Sequence, residues 1–208
     1  MGTRIYLASK SPRRLELLTR LGYEPVLLPK GPAGGRAFPG DEERLPGESA
    51  RSYVTRTARE KALHAVKRIR EEGLPLLPVI AADTTVVLGE AILGKPASME
   101  EERKFLRLLS GATHVVRTAV VAGTSEENLE TVVSESRVTF ASLSEEEMEA
   151  YARTSEPYDK AGGYAVQGLA AAFITRIDGS YSGIMGLPLR ESAGLLARFG
   201  APVPALSD

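Results

Sequence analysis

The order of apolar runs in this chain predicts an α/β fold built on a mixed sheet. Strand-like apolar runs alternate with amphipathic stretches of helical period, the pattern of a sheet covered by helices. Residues 85–88, a Gly89-Glu90 turn and residues 91–93 read as a hairpin. Its antiparallel pairing rules out a purely parallel, doubly wound sheet. The bulk agrees: 208 residues, 43% hydrophobic and 25% charged, suffice for one large domain or two small lobes around an ordinary core.

Residues 5–8 read as a buried strand. Ser11 and Pro12 then open a helix that runs to Gly22. Ser is a preferred N-cap, Pro a preferred first helical residue, and Gly suits a helix C-terminus. Residues 25–28 suit a second strand. Residues 29–47, dense in Gly and Pro and carrying Asp41-Glu42-Glu43, read as a long loop. Over residues 49–72, Val54, Ala58, Ala62, Ala65, Val66 and Ile69 form an apolar stripe at helical spacing. Lys61 borders that stripe, where it either snorkels to solvent or points into a cleft. Residues 76–82 form a strand that ends at Asp83. Gly94-Lys95-Pro96 closes the hairpin, and Ser98 caps a helix to Leu109 with Phe105, Leu108 and Leu109 inward. Residues 113–122 and 130–141 are strands around a polar turn. Ser144 and Glu147 make a capping box for a further helix. A Gly-rich polar loop over 158–168 leads to a strand over 169–177, and residues 189–199 form the last helix.

Composition narrows the function. A net charge of -1 gives no general nucleic-acid surface, and 6% aromatics with no Trp gives no stacking platform for RNA. The absence of Cys excludes thiol catalysis and disulfides, and the two His residues are far apart with no metal-ligand spacing. No apolar run is long enough to span a membrane, and no signal segment follows Met1. The expectation is a cytoplasmic protein with neither nucleic acid nor membrane as partner. P-loop, nucleophile-elbow and dinucleotide fingerprints are all missing.

Four places carry candidate chemistry. Arg13 and Arg14 occupy the first turn of a helix, where acidic residues are usual. Two guanidiniums beside free backbone N–H groups suit an anion such as phosphate. Asp83, at the end of a buried strand, needs a hydrogen-bond donor or a cation, and magnesium accepts one or two carboxylates plus substrate phosphates. Lys95, between Gly94 and Pro96, offers a point charge for phosphate. Gln167 lies in the Gly-rich run Asp159-Lys160-Ala161-Gly162-Gly163-Tyr164-Ala165-Val166-Gln167-Gly168. It is the chain's single Gln, and its amide suits a base edge. Together these describe a nucleoside triphosphate site.

At this point the motifs resemble a known family. Ser9-Lys10-Ser11-Pro12-Arg13-Arg14-Leu15-Glu16-Leu17-Leu18, Glu60-Lys61-Ala62, Ala82-Asp83-Thr84 and Ile92-Leu93-Gly94-Lys95-Pro96 look like the signature blocks of the Maf nucleoside triphosphate pyrophosphatases. So do the Gly-rich run, Gly179-Ser180-Tyr181 and Gly186-Leu187-Pro188-Leu189, all in the family's order. The resemblance implies cleavage of nucleoside triphosphates to monophosphate and pyrophosphate with a divalent cation, Mg2+ or Mn2+. It implies the branch acting on dTTP and UTP, with Arg13, Thr84 and Gln167 as specificity residues. A sister branch that prefers 7-methyl-GTP differs at those three places. Asp83 matches the family's proton acceptor. Ser9, Arg14, Lys61 and Lys95 match its phosphate-binding residues, and Asp83 with Glu42 its metal-binding carboxylates. The implied architecture is an elongated two-lobed mixed-sheet Maf/ITPase-like fold. It forms a single domain over residues 1–208 with the active-site cleft between the lobes, often as a homodimer. The family's association with inhibition of septum formation leaves open a non-catalytic nucleotide-binding regulator. The same chemistry on a purine is also open.

Overall fold

The computed structural model describes residues 2–28 and 44–206. Glu42 and most of the expected loop lie outside them. In chain order the elements are β1 (Thr3–Leu7), α1 (Pro12–Arg20), β2 (Tyr23–Leu27), α2 (Ala50–Glu71), β3 (Val79–Leu88) and β4 (Ala91–Leu93). Then follow α3 (Met99–Leu109), β5 (Thr113–Gly123), β6 (Glu130–Phe140), α4 (Glu145–Ala152), β7 (Ile174–Asp178), α5 (Tyr181–Ile184) and α6 (Leu189–Arg198). The strands form one sheet in the order β2-β1-β3-β5-β6-β7, with β4 on β3. β1 pairs parallel with β2 and β3, whereas β3–β4 and β6–β7 are antiparallel. The sheet is therefore mixed, as the hairpin required.

The chain packs as two compact units. The first comprises Met1–Asp83, Ala119–Val133 and Gly186–Asp208, and the second Thr84–Thr118 and Ser134–Met185. In the first unit the apolar stripe of α2 meets the sheet as expected. Val54, Ala58, Ala62, Ala65, Val66 and Ile69 are buried with Tyr6, Val79, Ala81, Ala119 and Val121. Three alanines along that stripe let the helix axis approach the strands closely.

The second unit has its own core, in which Val86, Leu93, Leu106, Leu109, Phe140, Tyr151, Tyr164 and Phe173 are buried together. His114 lies within it, edge-on to Phe140 at 5.2 Å between ring centroids. Its Nε2 is 2.7 Å from the Tyr164 hydroxyl. Burial pulls the His114 pKa down to about 4, so the ring is neutral.

Four sequence expectations need correction. β3 does not end at Asp83 but runs on to Leu88, so the carboxylate sits in mid-strand. Ser11 stands at the N-cap of α1 but makes no side-chain cap bond. Of the expected inward face of α3, Leu109 is buried and Phe105 packs half-buried against the core, but Leu108 is 49% exposed, and Glu102 and Leu106 are the other buried positions. Positions 102, 106 and 109 follow the helical period, and an acid was passed over because it is not apolar. Finally, Leu169–Phe173 is a 3-10 turn, and only Ile174–Asp178 is strand. The Glu156 carboxylate accepts from the N–H groups of Leu169 and Ala170 at 2.8 and 3.1 Å, holding that segment in the turn rather than in the sheet.

Candidate active site

The candidate residues fall into two groups, one in each unit. In the first unit the chain leaves β1 and turns into α1 through Ser9. The Ser9 Oγ accepts from the Ser11 backbone N–H at 3.2 Å and from the Arg14 Nη1 at 3.0 Å. With both lone pairs engaged, the Ser9 hydroxyl still has its proton to donate. Arg14 also donates through Nε to the Gly186 carbonyl at 2.8 Å. Its guanidinium is therefore fixed at two points. The first turn of α1 holds no acidic residue, so its positive end and the half-buried Arg13 and Arg14 keep an anion-attracting character.

Thr57 and Lys61 stand one turn apart on α2, on the same face. Both reach Asp83. The Lys61 Nζ lies 2.7 Å from Oδ1, and the Thr57 Oγ1 lies 2.8 Å from Oδ2. The Asp83 and Lys61 side chains are 17% and 13% exposed, so the pair is shielded yet reachable. Lys61 thus does not snorkel away from the core but turns to the carboxylate. Thr57, buried at 2% exposure, was missed in the sequence. Its signal was its place four residues before Lys61. The Thr57 hydroxyl has one proton and several acceptors within reach, including the Tyr53 carbonyl at 2.9 Å. An ionised Asp83 is the strongest of them.

In the second unit Thr84 Oγ1 lies 2.9 Å from Thr118 Oγ1, and Thr118 donates to the Gly183 carbonyl at 2.8 Å. Lys95 is exposed on its turn. That turn is tied to the Gly-rich segment by a bond from the Gly162 N–H to the Gly94 carbonyl, 2.8 Å long. Glycine is required there. Gly162 has φ of 71°, and a Cβ on it would meet the Val86 side chain at 2.8 Å. Gln167 is exposed, and the segment that follows it is held by Glu156, which also accepts from the Tyr151 hydroxyl at 2.8 Å. Glu156 is a second holding residue that sequence reading missed.

A divalent cation can be tested against this donor set. Among the described residues no cluster of three or more His, Cys, Asp or Glu side chains converges. Asp83 is the carboxylate of the group, and each of its oxygens has one lone pair engaged by Lys61 or Thr57. That donor set fits magnesium-type binding, in which one carboxylate, substrate phosphates and several waters complete the shell. A surface cavity of about 610 Å³ along α2, lined by Arg51, Arg56, Arg59 and Glu60 among others, holds none of the candidate residues.

The strand-borne carboxylate and the cationic turn accompany a sequence-wide match. The Maf-like protein family model covers residues 4–199, so the chain belongs to that family. It is 50% identical over 201 residues to a dTTP/UTP pyrophosphatase of Bordetella avium, covering 97% of this chain and 98% of that one. It is 46% identical over 202 residues to a dTTP/UTP pyrophosphatase of Nitrosomonas europaea, at 97% of each chain. A solved HAM1 protein of Coxiella burnetii aligns over 94% of this chain and 99% of its own at 15% identity with a TM-score of 0.47.

Proposed function

We propose that this chain hydrolyses nucleoside triphosphates, dTTP and UTP foremost, to the monophosphate and pyrophosphate. The observation that carries the reading is the convergence of Thr57 and Lys61 on Asp83 in the same unit as the Ser9–Arg14 anion site. Relatives of equal length named as dTTP/UTP pyrophosphatases support the substrate.

Ser9 donates its remaining proton to a phosphate oxygen, and Arg14, held by the Gly186 carbonyl, presents its guanidinium to the triphosphate. Lys61 and Lys95 offset further charge. A water attacks the α-phosphorus. The new P–O bond forms as the bond to the bridging oxygen breaks, and pyrophosphate leaves with the electron pair. Asp83 takes the water's proton. As it does so, Thr57 swings its own proton from Oδ2 to the Tyr53 carbonyl, so the hydroxyl accommodates either state of the acid. A divalent cation held by Asp83 and the substrate phosphates would supply charge neutralisation on the leaving group. Glu42, outside the described residues, is the proposed second carboxylate. Positioning and electrostatics supply most of the acceleration. Arg13, Thr84 and Gln167 read the base. The two units work as one domain of 208 residues, in the cytoplasm and as a homodimer. No helix among the described residues is long and apolar enough to cross a membrane.

Pyrophosphate release from a panel of nucleoside triphosphates, with and without Mg2+ or Mn2+, tests this. Metal-dependent release led by dTTP and UTP is the expected result. Preferred release from 7-methyl-GTP or another purine would overturn the specificity, and binding without release would leave a regulator.

A further inference from the structure

We infer that Glu156 is a positioning residue for base selection, because its carboxylate holds in place the turn that carries Gln167. This rests on the proposed pyrophosphatase reading and deepens it.

The hold is built from donors on two segments. The Tyr151 hydroxyl and the Ala170 N–H reach Oε1 at 2.8 and 3.1 Å, and the Leu169 N–H reaches Oε2 at 2.8 Å. A carboxylate only accepts, and each of these groups donates. Glu156 is itself fixed. The Lys160 Nζ donates to its backbone carbonyl at 2.6 Å. Tyr151 is 3% exposed and stands in the core of the second unit.

Gly168 shows how closely the carboxylate and the turn fit. Its φ is -110°, outside the left-handed region, so the backbone angle does not call for glycine. A Cβ there would meet Glu156 Oε2 at 2.1 Å. The missing side chain is what lets the carboxylate reach the N–H groups beyond it. Gln167 is therefore bracketed. Before it Tyr164, Ala165 and Val166 are each 5% exposed. After it Glu156 grips Leu169 and Ala170. The Gly168 N–H closes the turn on the Ala165 carbonyl at 3.0 Å. Gln167 stands exposed between these anchors.

A glutamine is a flexible reader. Its amide presents a donor or an acceptor according to how it is turned. Uracil and thymine offer an acceptor at O4 and a donor at N3, and cytosine offers the reverse at the same two places. Discrimination between them by Gln167 depends on how firmly the backbone beneath the amide is placed. Glu156 supplies that placement without touching the base.

The test is the ratio of kcat/KM for UTP over CTP in the wild type, Glu156→Gln, Gln167→Ala and the double variant, with the melting temperature of each. Gly168→Ala is added as an independent way to expel the carboxylate. Gln keeps the size of Glu but turns an NH2 toward a donor in place of one accepting oxygen. Glu156→Gln and Gly168→Ala should each lower the UTP/CTP ratio about 10-fold. Glu156→Gln should lower it no further once Gln167 is replaced by Ala, because a residue acting through another has no effect in its absence. An unchanged ratio in either folded variant, or an equal fall in the Gln167→Ala background, would overturn the inference and leave the pyrophosphatase reading standing. So would failure of both Glu156→Gln and Gly168→Ala to fold, which would make the carboxylate a determinant of the fold. A ratio untouched by Gln167→Ala would remove Gln167 from base reading, and absence of release from any nucleotide by the wild type would overturn the pyrophosphatase reading. The inference falls with either.

Discussion

In the first unit the candidate residues are charged and hold one another. Lys61 neutralises Asp83, and Arg14 is pinned by Ser9 and a carbonyl. In the second unit several bonds around the candidate groups are neutral, two threonines in series on a backbone carbonyl and a glycine turn bonded backbone to backbone, while the Glu156 carboxylate holds the segment after Gln167 through backbone N–H groups. Under the proposed roles Arg14, Lys61 and Asp83 of the first group act on the phosphates and Thr84 and Gln167 of the second on the base, while Arg13 and Lys95 fall on the other side of that division. Charge acts over distance and tolerates small displacements. A hydrogen-bond direction does not, and it needs a rigid chain of partners behind it.

The largest break in that comparison is Asp83→Asn. The amide keeps the shape and the Thr57 contact but takes no proton. We expect turnover to disappear while the melting temperature stays within a few degrees of wild type. Retained pyrophosphate release would remove Asp83 from the mechanism.

Lys61→Met comes next. It strips the counter-charge from Asp83 and one cation from the phosphate path, and should lower kcat/KM about 10²- to 10³-fold, the scale of losing one preorganised donor. An unchanged kcat/KM in folded Lys61→Met would remove Lys61 from the phosphate path.

Thr57→Val should be milder, about 10-fold in kcat, because Asp83 keeps Lys61. The charge-assisted bond to Oδ2 is lost, and such bonds contribute roughly 1.5–3 kcal/mol. A Thr57→Ser variant should restore the rate. Failure of that rescue would assign the loss to packing in α2.

How much of this was legible in the sequence depends on what kind of signal each residue gave. The α2 stripe was legible because burial repeats at the helical period. Asp83 stood out as a charge on a buried strand, Lys95 as one in a glycine-containing turn and Arg14 as a cation in the first turn of a helix, whereas Lys61 was singled out by the family resemblance, its place beside the α2 stripe leaving snorkelling open. Thr57, Thr118 and Glu156 gave no such contrast. A threonine on a helix or strand is ordinary until its partner is known, and the partners lie 26 and 65 residues away for Thr57 and Thr118. The strand end at Asp83 was misplaced for the same reason. A buried carboxylate looked like a terminus, because the cation that makes it tolerable in mid-strand comes from another helix. Glu102 was hidden differently, since an acid on an inward helix position defeats a search for apolar periodicity.

Glu102 supplies the smallest expected effect on activity and the sharpest counterpart to Asp83. Both are shielded carboxyl groups. Asp83 has Lys61 and Thr57, whereas neither oxygen of Glu102 has a partner among the described residues. It is fully buried beneath Gly163, where a Cβ would overlap the carboxyl. Burial without compensation pushes its pKa up to about 9. The folded group then stays protonated while the unfolded one ionises above about 4.5, so its contribution to stability is full below that pH and is lost steadily as pH rises toward 9. His114 acts in the opposite sense. It is neutral when folded and protonated when unfolded below 6.5, so its contribution is lost as pH falls toward 4. The two slopes oppose each other between 4.5 and 6.5, and above that window Glu102 acts alone. Glu102→Gln should therefore leave kcat nearly unchanged. It should flatten the decline of stability above about pH 6.5, a decline of at most about 1.4 kcal/mol per pH unit. Chemical denaturation of both proteins at about pH 5 and pH 8.5 reads this directly. A variant that loses more stability than wild type at the higher pH would mean that Glu102 is ionised and paired when folded, and the distinction drawn here between a partnered and an unpartnered carboxyl would fail.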